Sequence, residues 1–62
     1  MLITDYNNEP IHAGNIVELL EDKRIRGRVV TVNSSIIQIV SNNNLYSIYC
    51  KNCKVICKSL GK

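Results

Sequence analysis

From Asn15 onward, the chain consists of short runs of β-branched residues that are separated by turn-forming residues. No segment there repeats its apolar residues with the 3.6-residue period of an amphipathic helix. The pattern predicts an all-β fold and excludes a helix longer than about three turns in this part of the chain. We expect strands at residues 16–20, 24–32, 36–40, 45–49 and 55–58.

The links between these strands are short and polar. Residues 21–23, 33–35 and 41–44 have the length of hairpin loops, and asparagine tolerates the left-handed backbone that such loops need. Residues 51–54 allow one 3₁₀ turn. Five strands joined in this way predict a small five-stranded SH3-like antiparallel barrel over residues 15–62, because closure removes exposed sheet edges. Residues 1–14 are expected to form a short N-terminal arm.

Two sets of residues alternate along the long second strand. We expect Ile25, Gly27 and Val29 to face the interior, and Arg24, Arg26 and Arg28 to share one solvent-exposed face. The alternation slips at Val30, so that Val30 and Val32 take the inward phase, and a bulge or a bend at this point explains the slip. The core is expected to contain Ile25, Val29, Ile37, Ile39 and Ile56.

Charge is distributed unevenly along the chain. All five acidic residues lie within the first 22 positions, and all eight lysines and arginines follow them, for a net charge of +3. This asymmetry indicates a basic face for a polyanion or for an acidic protein, although a solvated strand surface gives the same pattern. The candidate phosphate contacts are Lys23, Arg24, Arg26 and Arg28. Tyr46 and Tyr49 are candidates for stacking on unpaired bases, or for packing in the core.

The segment from Val17 to Ile56 resembles the Sm-like superfamily. Ile25 stands two residues before Gly27, a valine-rich strand then ends at Asn33, and a tyrosine-basic segment follows at Tyr49-Cys50-Lys51. The resemblance is to the bacterial RNA-chaperone branch, which is Hfq-like, and to the Rho-binding antiterminator family. It implies an Sm-like barrel that binds nucleic acid and adds three positions to the candidate nucleic-acid contacts: Asn33, Tyr49 and Lys51.

The sequence departs from the Hfq-like pattern at two positions. Ser35 stands where that branch has an aromatic residue that stacks on uridine, and Lys51 stands where it has a histidine. The resemblance therefore implies the barrel and contacts to a polyanion, but not the uridine pocket of that branch.

Three cysteines are closely spaced in a C-x₂-C-x₃-C pattern. Together with His12, the thiols of Cys50, Cys53 and Cys57 have the ligand types of a tetrahedral zinc site. A structural zinc site usually joins two separated pairs of ligands, however, whereas these cysteines lie within eight residues. We therefore predict free thiols that serve as packing residues, with no metal or other cofactor.

The third predicted strand is apolar on both faces. One face must fill the interior, so the other, with Ile36 and Val40, is covered either by the N-terminal arm or by another subunit. Leu45, Ile48 and Tyr49 on the next strand add to this surplus of apolar residues. The resemblance to ring-forming Sm-like proteins favours a homo-oligomer.

These features favour a binding protein rather than an enzyme. The sequence contains no recognisable catalytic constellation and no glycine-rich phosphate loop. It shows neither a membrane span nor a signal peptide, so we expect a cytoplasmic protein. We predict a module that binds single-stranded RNA and regulates transcription or translation. The alternative is a protein-binding module that docks on a larger machine and inhibits or redirects it. Such a module could be encoded by a phage or a mobile element, because nine isoleucines and eight asparagines fit the codon bias of an AT-rich genome.

Overall fold

One five-stranded antiparallel sheet makes up the computed structural model of this protein, which describes residues 2–58. The strands are β1 (Ile16–Leu19), β2 (Arg26–Asn33), β3 (Ile36–Ser41), β4 (Asn44–Tyr49) and β5 (Cys53–Cys57). Their order in the sheet is β4-β3-β2-β1-β5. The all-β class and the five strands are thus confirmed, and each boundary lies within two residues of its predicted position.

The sheet is open within residues 2–58. Its two edges are β4 and β5, and no strand pairing joins them there. A 3₁₀ helix at Cys50–Asn52 connects these two strands, one residue earlier than predicted. In this part of the chain it is the only helix, and no helix is long and apolar enough to cross a membrane.

Tight turns set the register of the β2–β3 and β3–β4 hairpins. Ser41 pairs with Asn44, and the two residues between them, Asn42 and Asn43, have φ angles of 53° and 65°. Positive φ at both central positions is the mark of a type I′ turn, whose twist matches that of the strands it joins. The tolerance of asparagine for this conformation explains why an asparagine-rich loop can make a two-residue hairpin.

The predicted irregularity in β2 is present as a shift of register. Val29 pairs with Ile39, but the next paired residue on β2 is Thr31, which leaves Val30 as an extra residue. The change of phase turns Val32 toward the core, as predicted, where it is half-buried. The inward position predicted for Val30 is wrong, since its side chain is 45% exposed, because a bulge leaves its extra residue outside the regular alternation.

The core lies on one face of the sheet. Val29, Ile37 and Ile39 are at most 1% exposed, which confirms three of the predicted core residues. Ile25 is half-buried and packs against the core from the loop before β2. The prediction for Ile56 is wrong, because Val55 takes the inward position opposite Val17, and Ile56 is exposed. The remaining buried apolar residues are Ile11, Val17, Leu19, Cys50 and Cys53.

The segment before β1 packs against β5 through a buried aspartate. Asp5 is 1% exposed, and its carboxylate accepts three backbone hydrogen bonds: from Asn7 N at 2.8 Å, Glu9 N at 2.9 Å and Val55 N at 2.8 Å. Next to it, Tyr6 N donates to Cys53 O at 3.1 Å. Asp5 therefore shapes the N-terminal loop and attaches that loop to the free edge of β5.

Replacing Asp5 with alanine is expected to lower the free energy of unfolding by about 3 kcal/mol, because three N–H groups lose their acceptor in a partly buried position. Chemical denaturation monitored by circular dichroism measures the change. The control is Asp22→Ala, which removes a half-exposed carboxylate whose hydrogen bonds lie in an exposed loop and is expected to change stability by less than about 1 kcal/mol. Equal effects of the two variants would contradict the structural role of Asp5.

Gly27 lies at a close approach between β2 and β3. A Cβ atom at this position would lie 2.8 Å from the carbonyl oxygen of Val40 and 3.1 Å from Cδ1 of Ile39. The first contact is with backbone, which cannot move aside without distorting the sheet. The absence of a side chain at Gly27 therefore permits the close approach of these strands.

Gly27→Ala is expected to destabilise the protein by about 1–3 kcal/mol, because the added methyl group overlaps the backbone of β3. The midpoint of urea denaturation reports the loss. The control is Thr31→Ala on the exposed side of the same strand, which changes β-propensity without a steric overlap and is expected to cost less than about 1 kcal/mol. An unchanged midpoint for Gly27→Ala would contradict the close packing.

Candidate functional site

The face of the sheet that points away from the core, here called the outer face, carries most of the candidate residues. Its members follow from the strand register and the burial pattern. From β5 to β4 they are Lys54 and Cys57; Ile16 and Glu18; Arg26, Arg28, Thr31 and Asn33; Ile36, Gln38 and Val40; and Leu45, Ser47 and Tyr49.

Two of the three predicted arginines are exposed side by side on β2. Arg26 pairs with Glu18 on β1, and Glu18 in turn pairs with Lys54 on β5. Arg28 lies between Ile16 on β1 and Val40 on β3. Neither arginine forms an ion pair within residues 2–58, so both guanidinium groups are available to a ligand.

Arg24 does not share the outer face of β2 with the other two arginines, contrary to the prediction from the sequence. β2 begins two residues later than predicted, and Arg24 instead contacts Asp22 in the β1–β2 loop through its backbone N–H and its guanidinium group, at 3.1–3.2 Å. Its side-chain hydrogen bond lowers the pKa of Asp22, and the same bond raises the pKa of Arg24. Arg24 is thus hydrogen-bonded to Asp22 within the loop, and both Arg24 and its neighbour Lys23 are exposed there.

The two candidate tyrosines lie on opposite faces of the sheet. Tyr46 pairs with Ile39 and packs against the core, which is the packing alternative considered for it. Tyr49 pairs with Ile36 and is 46% exposed on the outer face. Asn33 also pairs with Ile36, so Asn33 and Tyr49 flank this isoleucine across three strands. Of the two tyrosines, only Tyr49 shares the outer face with the arginines, and it lies at the end of β4 opposite to Leu45, which is in the row of Arg28.

Lys51 contacts the N-terminal loop. Its ammonium group donates hydrogen bonds to Thr4 Oγ1 at 2.7 Å, Asp5 O at 3.1 Å and Asn8 Oδ1 at 3.2 Å. Three oxygen acceptors match the three protons of an ammonium group. Lys51 therefore holds the N-terminal loop in place, and sequence reasoning could not identify this role because the partners are more than forty residues away.

Lys54 was not among the predicted contacts, although it lies in line with Glu18 and Arg26 on the outer face. The register of β1 with β5 places it there. The predicted fifth strand begins at Val55 and leaves Lys54 in the preceding turn, whereas β5 begins at Cys53. Lys54 adds a third cation to the outer face, next to the single carboxylate of Glu18.

The three cysteines do not converge on one point. Cys50 and Cys53 are buried, Cys57 is exposed, and all three thiols are free. Within residues 2–58, no group of three or more His, Cys, Asp or Glu side chains could hold a metal ion. In this part of the chain, β5 places Cys53 against the core and Cys57 at the surface, so the three cysteines and His12 do not form the clustered ligand set of the zinc alternative.

Burial makes Cys53 a poor nucleophile. Desolvation, together with the nearby Asp5 carboxylate and Cys50, raises the pKa of the Cys53 thiol to about 12. The thiolate is the reactive form, so this group is almost entirely protonated at neutral pH. Its Sγ lies 3.2 Å from the carbonyl oxygen of Cys50, which accepts a hydrogen bond from the thiol.

At pH 7.5, a thiol reagent such as 5,5′-dithiobis(2-nitrobenzoate) is expected to modify one cysteine rapidly in the folded protein and all three after denaturation. The fast site is expected to be Cys57, because it is the exposed thiol, and Cys57→Ser should abolish the fast phase. Peptide mapping identifies the modified residue. Rapid modification of Cys53 in the folded protein would contradict its burial and its raised pKa.

A shallow groove of about 350 Å³ lies on another part of the molecule. Leu2, Ile3, Ile11, His12, Ala13 and Val32 line it. His12 is the only titratable residue among them, so the groove holds no pair of groups for acid–base chemistry.

The outer face carries exposed cations on β2 and β5 and one exposed aromatic ring at the far end of β4. Arg26, Arg28 and Lys54 offer charge to phosphate groups, and Tyr49 offers a stacking surface. Comparisons of the chain with protein-family models, with curated proteins and with solved structures find no match.

Proposed function

We propose that this protein is a small, non-enzymatic, cytoplasmic module that binds single-stranded RNA on its outer face and regulates transcription or translation. The observation that carries the proposal is the exposure of Arg26 and Arg28 on one strand, with neither guanidinium in an ion pair within residues 2–58. An arginine without an internal acceptor is ready to donate to a phosphate.

The spacing of the two arginines suits a nucleic-acid backbone. Alternate residues on a strand lie about 7 Å apart and point to the same side, so Arg26 and Arg28 can contact neighbouring phosphates. Lys54 and Lys23 extend the positive charge at the β5 side and in the β1–β2 loop. Glu18, next to Arg26, is the one acidic residue of the outer face, which therefore stays net positive.

Single-stranded nucleic acid fits this face because its bases are free to stack. Tyr49 is 46% exposed, and stacking of one base on an aromatic ring contributes about 1–3 kcal/mol. Asn33 lies two strands away with a carboxamide that can both donate and accept hydrogen bonds. Lys51 is left out of the proposed contacts, because its ammonium group binds the N-terminal loop.

We further propose that the sheet is that of an Sm-like, SH3-like small barrel and that the protein self-associates. The strand order, the long bulged β2 and the 3₁₀ helix between β4 and β5 support the first proposal. Exposed apolar residues on β3 and β4 support the second. With Ser35 in place of an aromatic residue, the proposed binding has no uridine pocket of the Hfq type.

The double variant Arg26→Ser/Arg28→Ser is expected to weaken binding of unrelated single-stranded RNAs to a similar degree, because the arginines contact phosphates and not bases. The slope of log K against log salt should flatten by about one to two units, since each lost phosphate contact removes about 0.7. Fluorescence anisotropy with labelled oligouridine and with a mixed-sequence oligomer, over a salt series, measures both quantities.

Arg24→Ser is the matched control for this experiment, because Arg24 carries the same charge but is held by Asp22. It is expected to change the salt slope much less than either outer-face arginine. Circular dichroism checks that each variant keeps the fold. Unchanged RNA affinity and salt slope in the double variant would overturn the proposed RNA-binding face.

A second candidate function is docking on an acidic protein surface. Arg28 lies next to Val40, and Val40 pairs with Leu45, so this arginine borders exposed apolar side chains. Arginine beside apolar groups is typical of the centre of protein interfaces. RNA binding that is absent at low salt, in the unmodified protein, would favour this candidate over the first.

A further inference from the structure

The chain covers one edge of its sheet and leaves the other open. The N-terminal loop binds the free edge of β5, the edge that does not pair with β1. There, Val55 N donates to Asp5 Oδ2 at 2.8 Å, and Tyr6 N donates to Cys53 O at 3.1 Å. At β4, no backbone hydrogen bond from residues 2–58 reaches the side that faces away from β3. The two edges are therefore not equivalent.

The pairing of β4 with β3 shows which backbone groups face outward. Cys50 N donates to Ser35 O at 2.8 Å, so this position is a hydrogen-bonded pair. Hydrogen-bonded and non-hydrogen-bonded pairs alternate along an antiparallel ladder. Leu45, Ser47 and Tyr49 consequently present their N–H and C=O groups to the open side of β4.

β4 has none of the features that protect exposed edge strands. Protected edges usually carry charged side chains, proline or a bulge, or are very short. β4 runs from Asn44 to Tyr49 without a charged residue or a proline, and its register with β3 is uninterrupted. β3 beside it is also uncharged. Such an edge is a template for another strand.

The exposed apolar side chains of the outer face are concentrated at this edge. Leu45 is 61% exposed, Tyr49 and Ile36 are each 46% exposed, and Val40 is 39% exposed. The N-terminal segment binds the opposite edge of the sheet, at β5. Of the two covers considered for Ile36 and Val40, the N-terminal arm is therefore not the one in place. Together these residues expose on the order of 400 Å², about half of what one partner contributes to a standard interface.

We propose that two copies of this chain pair through their β4 strands, antiparallel, about a two-fold axis at Ser47. Leu45 of each copy then lies opposite Tyr49 of the other on the outer face, and Tyr46 lies opposite Ile48 on the inner face. The outward N–H and C=O groups of Leu45, Ser47 and Tyr49 in each copy then form hydrogen bonds with those of the other copy. The two sheets become one continuous sheet of ten strands. The outer faces of the two copies, with their arginines, become one surface.

A second copy suits this edge better than another partner because the strand is self-complementary. Its outer-face apolar residues are equally spaced on either side of Ser47, so apolar meets apolar after a two-fold rotation. The net charge of +3 on each copy opposes self-association, but β3 and β4 contain no charged residue, so no like charges meet at the two-fold axis. The N-terminal loop takes Cys53 O and Val55 N on the free edge of β5, so a head-to-tail β4–β5 contact, which would build a ring, loses two of the backbone groups that it needs, and we expect assembly to stop at two.

This inference is independent of RNA binding, and its test contains no RNA. Sedimentation velocity of the full chain, from about 1 μM to about 1 mM, is expected to show a monomer–dimer equilibrium without larger species. A monomer at every concentration, or a ring of more than two copies, would overturn the proposal.

Ser47 provides the sharpest test, because it alone faces its own copy across the axis. Its side chain is exposed and accepts one long hydrogen bond, from Gln38 at 3.5 Å, so substitution is expected to leave the fold intact. Ser47→Lys and Ser47→Glu should each raise the dimer dissociation constant about fivefold or more, since like charges then lie directly opposite each other. An equimolar mixture of the two variants should restore dimers. A mixture that stays monomeric, or a Ser47→Lys protein that dimerises like the parent, would overturn the two-fold axis.

Substitutions at Leu45 and Leu2 form a matched test and control for the contribution of apolar contacts to the stability of the dimer. They are exposed to 61% and 63%, but Leu2 lies in the N-terminal segment, away from β4. Leu45→Lys is expected to weaken the dimer about tenfold, and Leu2→Lys is expected to leave it unchanged. Equal losses in the two variants would show non-specific association and would contradict pairing through β4.

Discussion

The buried carboxylate of Asp5 is the interaction on which the rest of the structure depends. It accepts backbone hydrogen bonds within its own loop and from β5, so one side chain both shapes the N-terminal segment and attaches it to the sheet. This attachment lets Ile11 reach the core, where it is 3% exposed. Lys51 supports the same loop from the 3₁₀ helix through Thr4 and Asn8.

The same attachment makes the two edges of the sheet different. In an isolated five-stranded sheet, both edge strands offer unpaired backbone groups, and head-to-tail rings or fibres can grow. Here the N-terminal loop occupies the β5 edge, and β4 is left as the one open edge within residues 2–58. An interaction at one end of the sheet thus limits what can associate at the other.

The bulge in β2 keeps the arginines on the outer face while Val32 returns to the core. Before it, Gly27 and Val29 point inward while Arg26 and Arg28 point outward, and after it Val32 returns to the core. Without the extra residue, either the arginines or Val32 would face the wrong side, because a shift by one residue exchanges the faces of a strand. The bulge and the glycine therefore place two cations on an exposed surface over a packed core.

The sequence by itself determined the all-β class, the five strands and the bulge, because periodicity and turn residues act over a few neighbouring positions. It also identified Arg26, Arg28, Asn33 and Tyr49, which share the outer face. Only the tertiary structure decided that Arg24 binds Asp22, that Lys51 binds the N-terminal loop, and that Ile56 is exposed while Val55 is turned inward. These outcomes depend on strand register and on partners distant in the chain, and the spacing of residues within one segment carries no information about either.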